Sequence, residues 1–320
     1  MAGLSRNRSP STDEPPLFVI GFQRSGTTLV RLMLDNHPRL AIPLDVVGLW
    51  ARYYGRLEHY NRLTADADVE SLVRDVLGEE RLRLWQVDLT TSDILSQVRG
   101  HTFPDVVAAF YLAYAQSKGK SRWGDKDPGN MSRIHLINLW FPDSRVLHIV
   151  RDGRDACLSH TRQSFGFDHV LTCADAWREQ VEWVRRIGLI LGPQRYMEIR
   201  YEDLLRSPEE TLRDVCSFLA LDYSNRMLKY YERVDESIPA SKRHIWPLID
   251  RPVQRGNAGR WKSEMSDGLR LCFEKRAGPL LEELGYEVLP GTRSGAYLEE
   301  AKLWLHTIRQ ALRRRLVRRG

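Results

Sequence analysis

The 320-residue sequence has no apolar run near the ~20 residues that a membrane-crossing helix requires. Stretches such as "VLHIV" (146–150) fall far short, and no transmembrane segment is expected. The first sixteen residues, "MAGLSRNRSPSTDEPP", lack the apolar centre of a secretory signal and read as a disordered leader. Cysteine is scarce. Cys157, Cys173, Cys216 and Cys272 are scattered without metal-ligand spacing, which argues against a metal site or a disulfide scaffold; reduced, buried thiols of a cytoplasmic enzyme are expected. No Pro-, Gly- or Ser-rich stretch interrupts the middle and no repeat recurs, so residues 17–290 are expected to form one domain with insertions. Acidic residues are absent after Glu300, although Lys302 to Gly320 carries seven Lys and Arg. Without that segment the net charge of +6 becomes −1, so the body is near neutral and no nucleic-acid partner is expected.

What is present is a soluble-protein composition, 42% hydrophobic and 28% charged, with buried-strand patterns alternating with helical ones. "PLFVIG" is a short apolar run ending at a glycine, as in a buried parallel strand. "TTLVRLMLDNHP" follows with Leu29, Leu32 and Met33 at helical spacing. Residues 45–118 read as largely helical. "SRVLHIVRDGRDACLSHTR" repeats the strand, glycine turn and helix. Another long helix is expected over roughly 172–192, a strand over "YMEIRYEDL", and a helix over "SPEETLRDVCSFLAL" with Ser207 as cap and Glu210 completing a capping box. This alternation predicts an α/β fold: a P-loop-type three-layer α/β/α arrangement around a mostly parallel sheet, with a helical insertion. Ligands bind such sheets at the carboxyl ends of the strands, where both Gly-bearing loops belong.

"GFQRSGTT" (21–28) nearly matches the nucleotide-binding pattern G-x-x-x-x-G-K-[ST], but Thr27 stands where the lysine belongs and the nearest cation is Arg24. Backbone N–H groups from Arg24 through Ser25, Gly26, Thr27 and Thr28, at a helix N-terminus, form an anion cradle. The two hydroxyls and the Arg24 fork add to it. The bland alternative is a tight turn with no ligand. In the second loop Arg151 stands at a strand end and Ser159 on the following helix, suited to a second phosphate; a surface ion pair of Arg151 with Asp152 is the alternative. "WGDKDPGN" places Lys126 in a polar turn between Asp125 and Asp127, either as a functional cation or as part of a solvated charge cluster.

These segments resemble those of sulfotransferases that use 3′-phosphoadenosine 5′-phosphosulfate (PAPS). "FQRSGTTLVRLMLDNHP" is similar to the family's 5′-phosphosulfate loop, and "RVLHIVRDGRDACLSH" to its 3′-phosphate segment. "RYEDLLRSPEETLRDVCSFLAL" and "GRWK" are similar to later family segments, in the same order; "KDP" and the loop arginine bring the chain nearest the tyrosylprotein and bacterial branch. The resemblance implies transfer of a sulfuryl group from PAPS to a hydroxyl acceptor, without a metal. It assigns Arg24, Ser25, Gly26, Thr27 and Thr28 to the 5′-phosphosulfate and Arg151 and Ser159 to the 3′-phosphate. Tyr201 would lie near the nucleotide, Arg251 would close over it, and Lys126 would stabilise charge at the sulfuryl group. In the tyrosylprotein branch a glutamate base follows the loop arginine by 21 residues; here that position is Asp45, in "IPLD" where bacterial relatives read roughly "IPPE". Asp45 keeps the carboxylate with one methylene less reach. It is the expected base, with capping of the helix "VVGLWARYY" as its alternative role and His59 or His101 as substitutes. A P-loop kinase or other NTPase, and a non-catalytic P-loop relative, are the competing classes; Thr27 and the Arg151–Asp152 order speak against the first.

The acceptor is left open among phenols including tyrosine, glycans, lipids and small metabolites. Trp50, Tyr53, Tyr54 and Trp85 of the insertion are candidate stacking groups, and the loop 238–260 is expected to line the site. In residues 291–320, Leu298, Ala301, Leu305, Ile308 and Leu312 recur at helical spacing among arginines, predicting a basic amphipathic C-terminal helix. Packing on the domain, peripheral contact with the anionic inner membrane face, or self-association are its three expected uses.

Overall fold

The computed structural model describes residues 14–163 and 166–289, together with Ala301 and Leu305. The leader up to residue 13 and nearly all of the predicted C-terminal helix lie outside the described residues. The chain opens with β1 (Leu17–Ile20), α1 (Thr27–Asp35) and β2 (Leu40–Ala41). The insertion follows as α2 (Leu49–Tyr54), α3 (Asp66–Leu77), α4 (Thr91–Leu95) and α5 (Phe103–Ser117), with 3₁₀ turns between. Then come β3 (Arg122–Asp125), α6 (Asn130–Trp140), β4 (Arg145–Val150), α7 (Gly153–Thr161), α8 (Val170–Leu191) and β5 (Tyr196–Arg200). The rest is helical: α9 (Tyr201–Arg206), α10 (Pro208–Leu219), α11 (Val234–Ser237), α12 (Trp261–Glu264) and α13 (Asp267–Glu283).

The five strands pair in the order β2-β3-β1-β4-β5, and every pairing is parallel. The period-2 alternation of a strand decides which layer each residue joins. On β4, Leu147 and Ile149 pack with α1, α9 and α10, whereas Val146 and Val150 pack with α6, α7, α8 and α13. A third cluster joins α2, α3 and α5 to Phe18, Trp123 and Phe141. The three-layer α/β expectation holds. Because β1 lies between β3 and β4, the chain runs to one side of β1 and then to the other, and the loops after all three strands open at the same carboxyl edge.

Several local expectations are corrected. β2 was unforeseen, because two residues carry too little pattern to read. "YEDL" belongs to α9, not to a strand, since β5 ends at Arg200. Ser207 stands at the N-cap of α10, but its side chain makes no capping bond and the box with Glu210 does not form. Pro208 in the first turn supplies the entry angle instead. Among the described residues no helix is long and apolar enough to cross a membrane.

Candidate functional site

The loop after β1 is shaped by two glycines. A Cβ on Gly21 would lie 2.5 Å from the Ile149 carbonyl oxygen, so only glycine lets the strand end approach β4. Gly26 has φ 93°, and a Cβ there would lie 2.4 Å from the Tyr201 ring. Gly26 is the N-cap of α1, so Thr27 and Thr28 begin the helix with N–H groups that have no intrahelical partner. Arg24 also takes positive φ, 69°, and its side chain crosses to α7, where Nε donates to Ser159 Oγ at 3.2 Å.

Arg151, at the end of β4, is buried and is not a surface partner of Asp152. Its Nη1 donates to the Arg24 carbonyl at 2.9 Å and Nη2 to the Asn257 carbonyl at 2.7 Å. Its guanidinium sits 4.7 Å from the Tyr201 ring centroid. Burial, then the neighbouring Arg151 charge, lowers the Arg24 pKa. Burial raises the Tyr201 phenol. Arg24, Gly26, Thr27, Thr28, Arg151, Ser159 and Tyr201 thus line one open cleft of about 880 Å³. Ser25, within the same loop, is fully buried.

The loop 238–260, expected to line the acceptor's site, borders this cleft, and sequence reading missed what Asp155 does for it. Trp246, Asn257 and Arg260 line it too, and Asn257 Nδ2 donates to the Tyr201 hydroxyl at 2.8 Å. Asp155 anchors the end of this segment, accepting from Gly259 N at 2.7 Å and Trp261 N at 2.8 Å. Burial raises the Asp155 pKa, and Arg151 at 3.6 Å opposes that rise. Asp152 is occupied by Arg154, whose Nη1 reaches Glu274 at 2.6 Å and whose guanidinium lies 3.6 Å from the Trp261 ring centroid. The available signal was the second aspartate of "RDGRD", which has no surface reason to recur on a helix that packs inward.

Arg251 is separate. Its side chain is 61% exposed, beside Asp250, and it does not line the cleft. Lys126 is not a solvated charge: Nζ donates to Asp45 Oδ1 at 2.6 Å, and both side chains are nearly buried. Asp45 caps no helix, because α2 begins at Leu49 with Gly48 at its N-cap. Asp125 accepts from the Tyr111 hydroxyl and from Asn130, and Asp127 accepts from Gly48 N and Gly129 N. Burial pushes the Asp125 carboxyl up to about 6, with the Asp127 charge adding to it. Among the described residues His101 pairs with Asp66 and His59 meets the Tyr60 ring edge-on within the insertion, neither bonded to Asp45 or Lys126. Tyr53 and Trp85 are core residues; of the four aromatic candidates only Trp50 and Tyr54 line a pocket near Asp125 and Asp127.

A model of the sulfotransferase family matches residues 15–225. The chain belongs to the sulfotransferase family. This sulfotransferase is 25% identical over 287 residues to protein-tyrosine sulfotransferase 2 of Gallus gallus, covering 87% of this chain and 71% of that protein. It is 26% identical over 290 residues to the protein-tyrosine sulfotransferase of Drosophila melanogaster, covering 87% of this chain but 53% of that one. Among solved structures, its fold is shared with the sulfotransferase domain of the Synechococcus PCC 7002 olefin synthase. That match has a TM-score of 0.60 at 23% identity and covers 91% of this chain and 100% of the other. The sulfotransferase domain from the curacin biosynthetic pathway is similar too, with a TM-score of 0.59 at 19% identity over 86% of this chain and 99% of that domain. As a sulfotransferase the enzyme moves a sulfuryl group from PAPS to a hydroxyl acceptor, which sets the ATP-dependent alternatives aside.

Proposed function

We propose that the cleft between the β1 and β4 loops binds PAPS, that Asp45 and Lys126 serve the transfer, and that the acceptor is a phenol. The convergence of Arg24, Thr27, Thr28, Arg151 and Ser159 on one cleft carries this reading. The residues suit a doubly anionic nucleotide: the α1 N-terminus and two arginines offer donors from two sides. Ser25 Oγ and Arg151 Nε are buried without hydrogen-bond partners among the described residues, so the site retains donors for a ligand. Arg24 to Thr28 would hold the 5′-phosphosulfate end, Arg151 and Ser159 the 3′-phosphate, and Tyr201 would pack beside the nucleotide. Arg260, already in the cleft wall, takes the closing role expected of Arg251.

Sulfuryl transfer parallels phosphoryl transfer in needing in-line positioning and preorganised positive charge. The acceptor oxygen bonds to sulfur as the sulfur–oxygen bond to the 5′-phosphate breaks, leaving 3′,5′-ADP and a sulfate ester. Lys126 stabilises the charge that develops around sulfur, and Asp45 takes the acceptor's proton. The 2.6 Å ion pair supports this reading, because it brings a cation and a carboxylate together as the two roles require. A phenol, with a pKa of ~10, asks less of a carboxylate base than an alkyl hydroxyl does. The curated relatives named above are protein-tyrosine sulfotransferases, which agrees with a phenolic acceptor.

The test is a melting-temperature comparison followed by a transfer assay. 3′,5′-ADP stabilises the protein without Mg²⁺, ATP does so poorly, and labelled sulfate passes from PAPS to a phenol. Stabilisation by ATP over 3′,5′-ADP overturns the reading.

A further inference from the structure

A second pocket lies between α2, α5 and α6, with about 660 Å³ of space. Trp50 and Tyr54 form one wall, and Leu136 and Trp140 the other. The Tyr54 and Trp140 rings meet edge-on at 4.8 Å, and Tyr54 stands at the rim, 40% exposed. The inner end is made by Gly48, Asp125 and Asp127. Gly48 N donates to Asp127 Oδ2 at 3.3 Å, so this end is built from the same two loops that carry Asp45 and Lys126.

The polar groups here divide sharply. Asp125 accepts from Tyr111 at 2.7 Å and from Asn130 at 2.6 Å, and Asp127 accepts from two backbone N–H groups, so neither carboxylate solicits a ligand cation. Arg133 differs. It is half-buried in the pocket wall, yet among the described residues no hydrogen bond and no carboxylate within 4.0 Å accompanies it. Its guanidinium reaches solvent at the pocket wall and is open to an anion on a bound ligand. An aromatic-walled pocket with a cation that no carboxylate of the described residues pairs is complementary to a ring that carries a negative group.

We propose that this pocket receives the aryl body of the acceptor and that Arg133 pairs with a carboxylate on it. The favoured acceptor is then a small carboxylate-bearing phenol. This inference rests on the phenolic reading above and narrows it.

The test is calorimetric titration of the full chain, saturated with 3′,5′-ADP, using 4-hydroxyphenylacetate and 4-methylphenol as probes. The wild type binds the carboxylate more tightly. Arg133→Gln weakens the carboxylate about tenfold, as expected for loss of a charge-assisted pair, and leaves 4-methylphenol unchanged. Leu136→Trp, which fills the pocket, weakens both probes. Both variants keep wild-type affinity for 3′,5′-ADP, which reports that they are folded. Equal binding of the two probes by the wild type, binding of neither, or indifference of the carboxylate to Arg133→Gln overturns the proposal. Failure of 3′,5′-ADP to bind counts instead against the nucleotide reading.

Discussion

Lys126 Nζ and Asp45 Oδ1 lie 2.6 Å apart, joining the loops that follow β3 and β2 through side chains exposed by only 3% and 11%. Asp45→Asn keeps the shape and removes the base. Turnover should fall by ~100-fold or more, within the range that general-base catalysis supplies. Affinity for 3′,5′-ADP, measured by calorimetry, should change little. Near-normal turnover removes Asp45 from the base role.

The same pair has a stability consequence. Lys126→Ala leaves an almost buried carboxylate unpaired, at a cost of roughly 3 kcal/mol. Adding Asp45→Ala removes the orphaned charge, so the double variant should melt above the Lys126→Ala single variant. Urea titration of the three variants gives the coupling, and strictly additive losses would mean that the two side chains are independent.

Gly26 and Gly48 separate strain from crowding. Both take positive φ, 93° and 74°, but a Cβ at Gly26 meets the Tyr201 ring whereas one at Gly48 has nothing within 4 Å. Gly48→Ala should therefore lose only the conformational cost, about 1 kcal/mol. Gly26→Ala should lose more, and should weaken 3′,5′-ADP at least tenfold because Tyr201 or the loop must shift. Equal losses at the two sites, by melting and calorimetry, count against the steric account.

Asp125 gives the pH dependence a sign. Its folded-state pKa, about 6, lies above the unfolded value, so between roughly pH 4 and pH 6 the folded protein holds more protons than the unfolded chain. Stability from this group is greatest below pH 4 and declines as pH rises to 6, by on the order of 2–3 kcal/mol. Asp125→Asn does not titrate. The stability difference between wild type and variant should drift across that window and stay flat from pH 7 to 8; drift in the opposite direction refutes the assignment.

The nucleotide side was the more legible in sequence. Gly21, Gly26 and Arg24 are constrained by one loop and one strand end, and local spacing records such constraints. Asp155 and Gly259 are 104 residues apart and bond only when α7 folds against the segment before α12, so spacing could not associate them. Arg251 illustrates the reverse. It was placed by correspondence within "RPV", but the chain turns it to solvent and presents Arg260 to the cleft instead. Trp50, Tyr53, Tyr54 and Trp85 were equivalent as letters. Burial separates them, and burial is decided by the packing of α2 on α3 and α5, which no single helix pattern encodes.

The strand order separates two tasks. The β1 and β4 loops with α7 hold the proposed donor cleft, while the β3 loop, the insertion and α6 make the second pocket on the far side of β1. An exchange of residues 46–118 therefore replaces one wall of the acceptor pocket without altering a side chain of the donor cleft. A sheet wound this way lets descendants change clients while keeping the same currency.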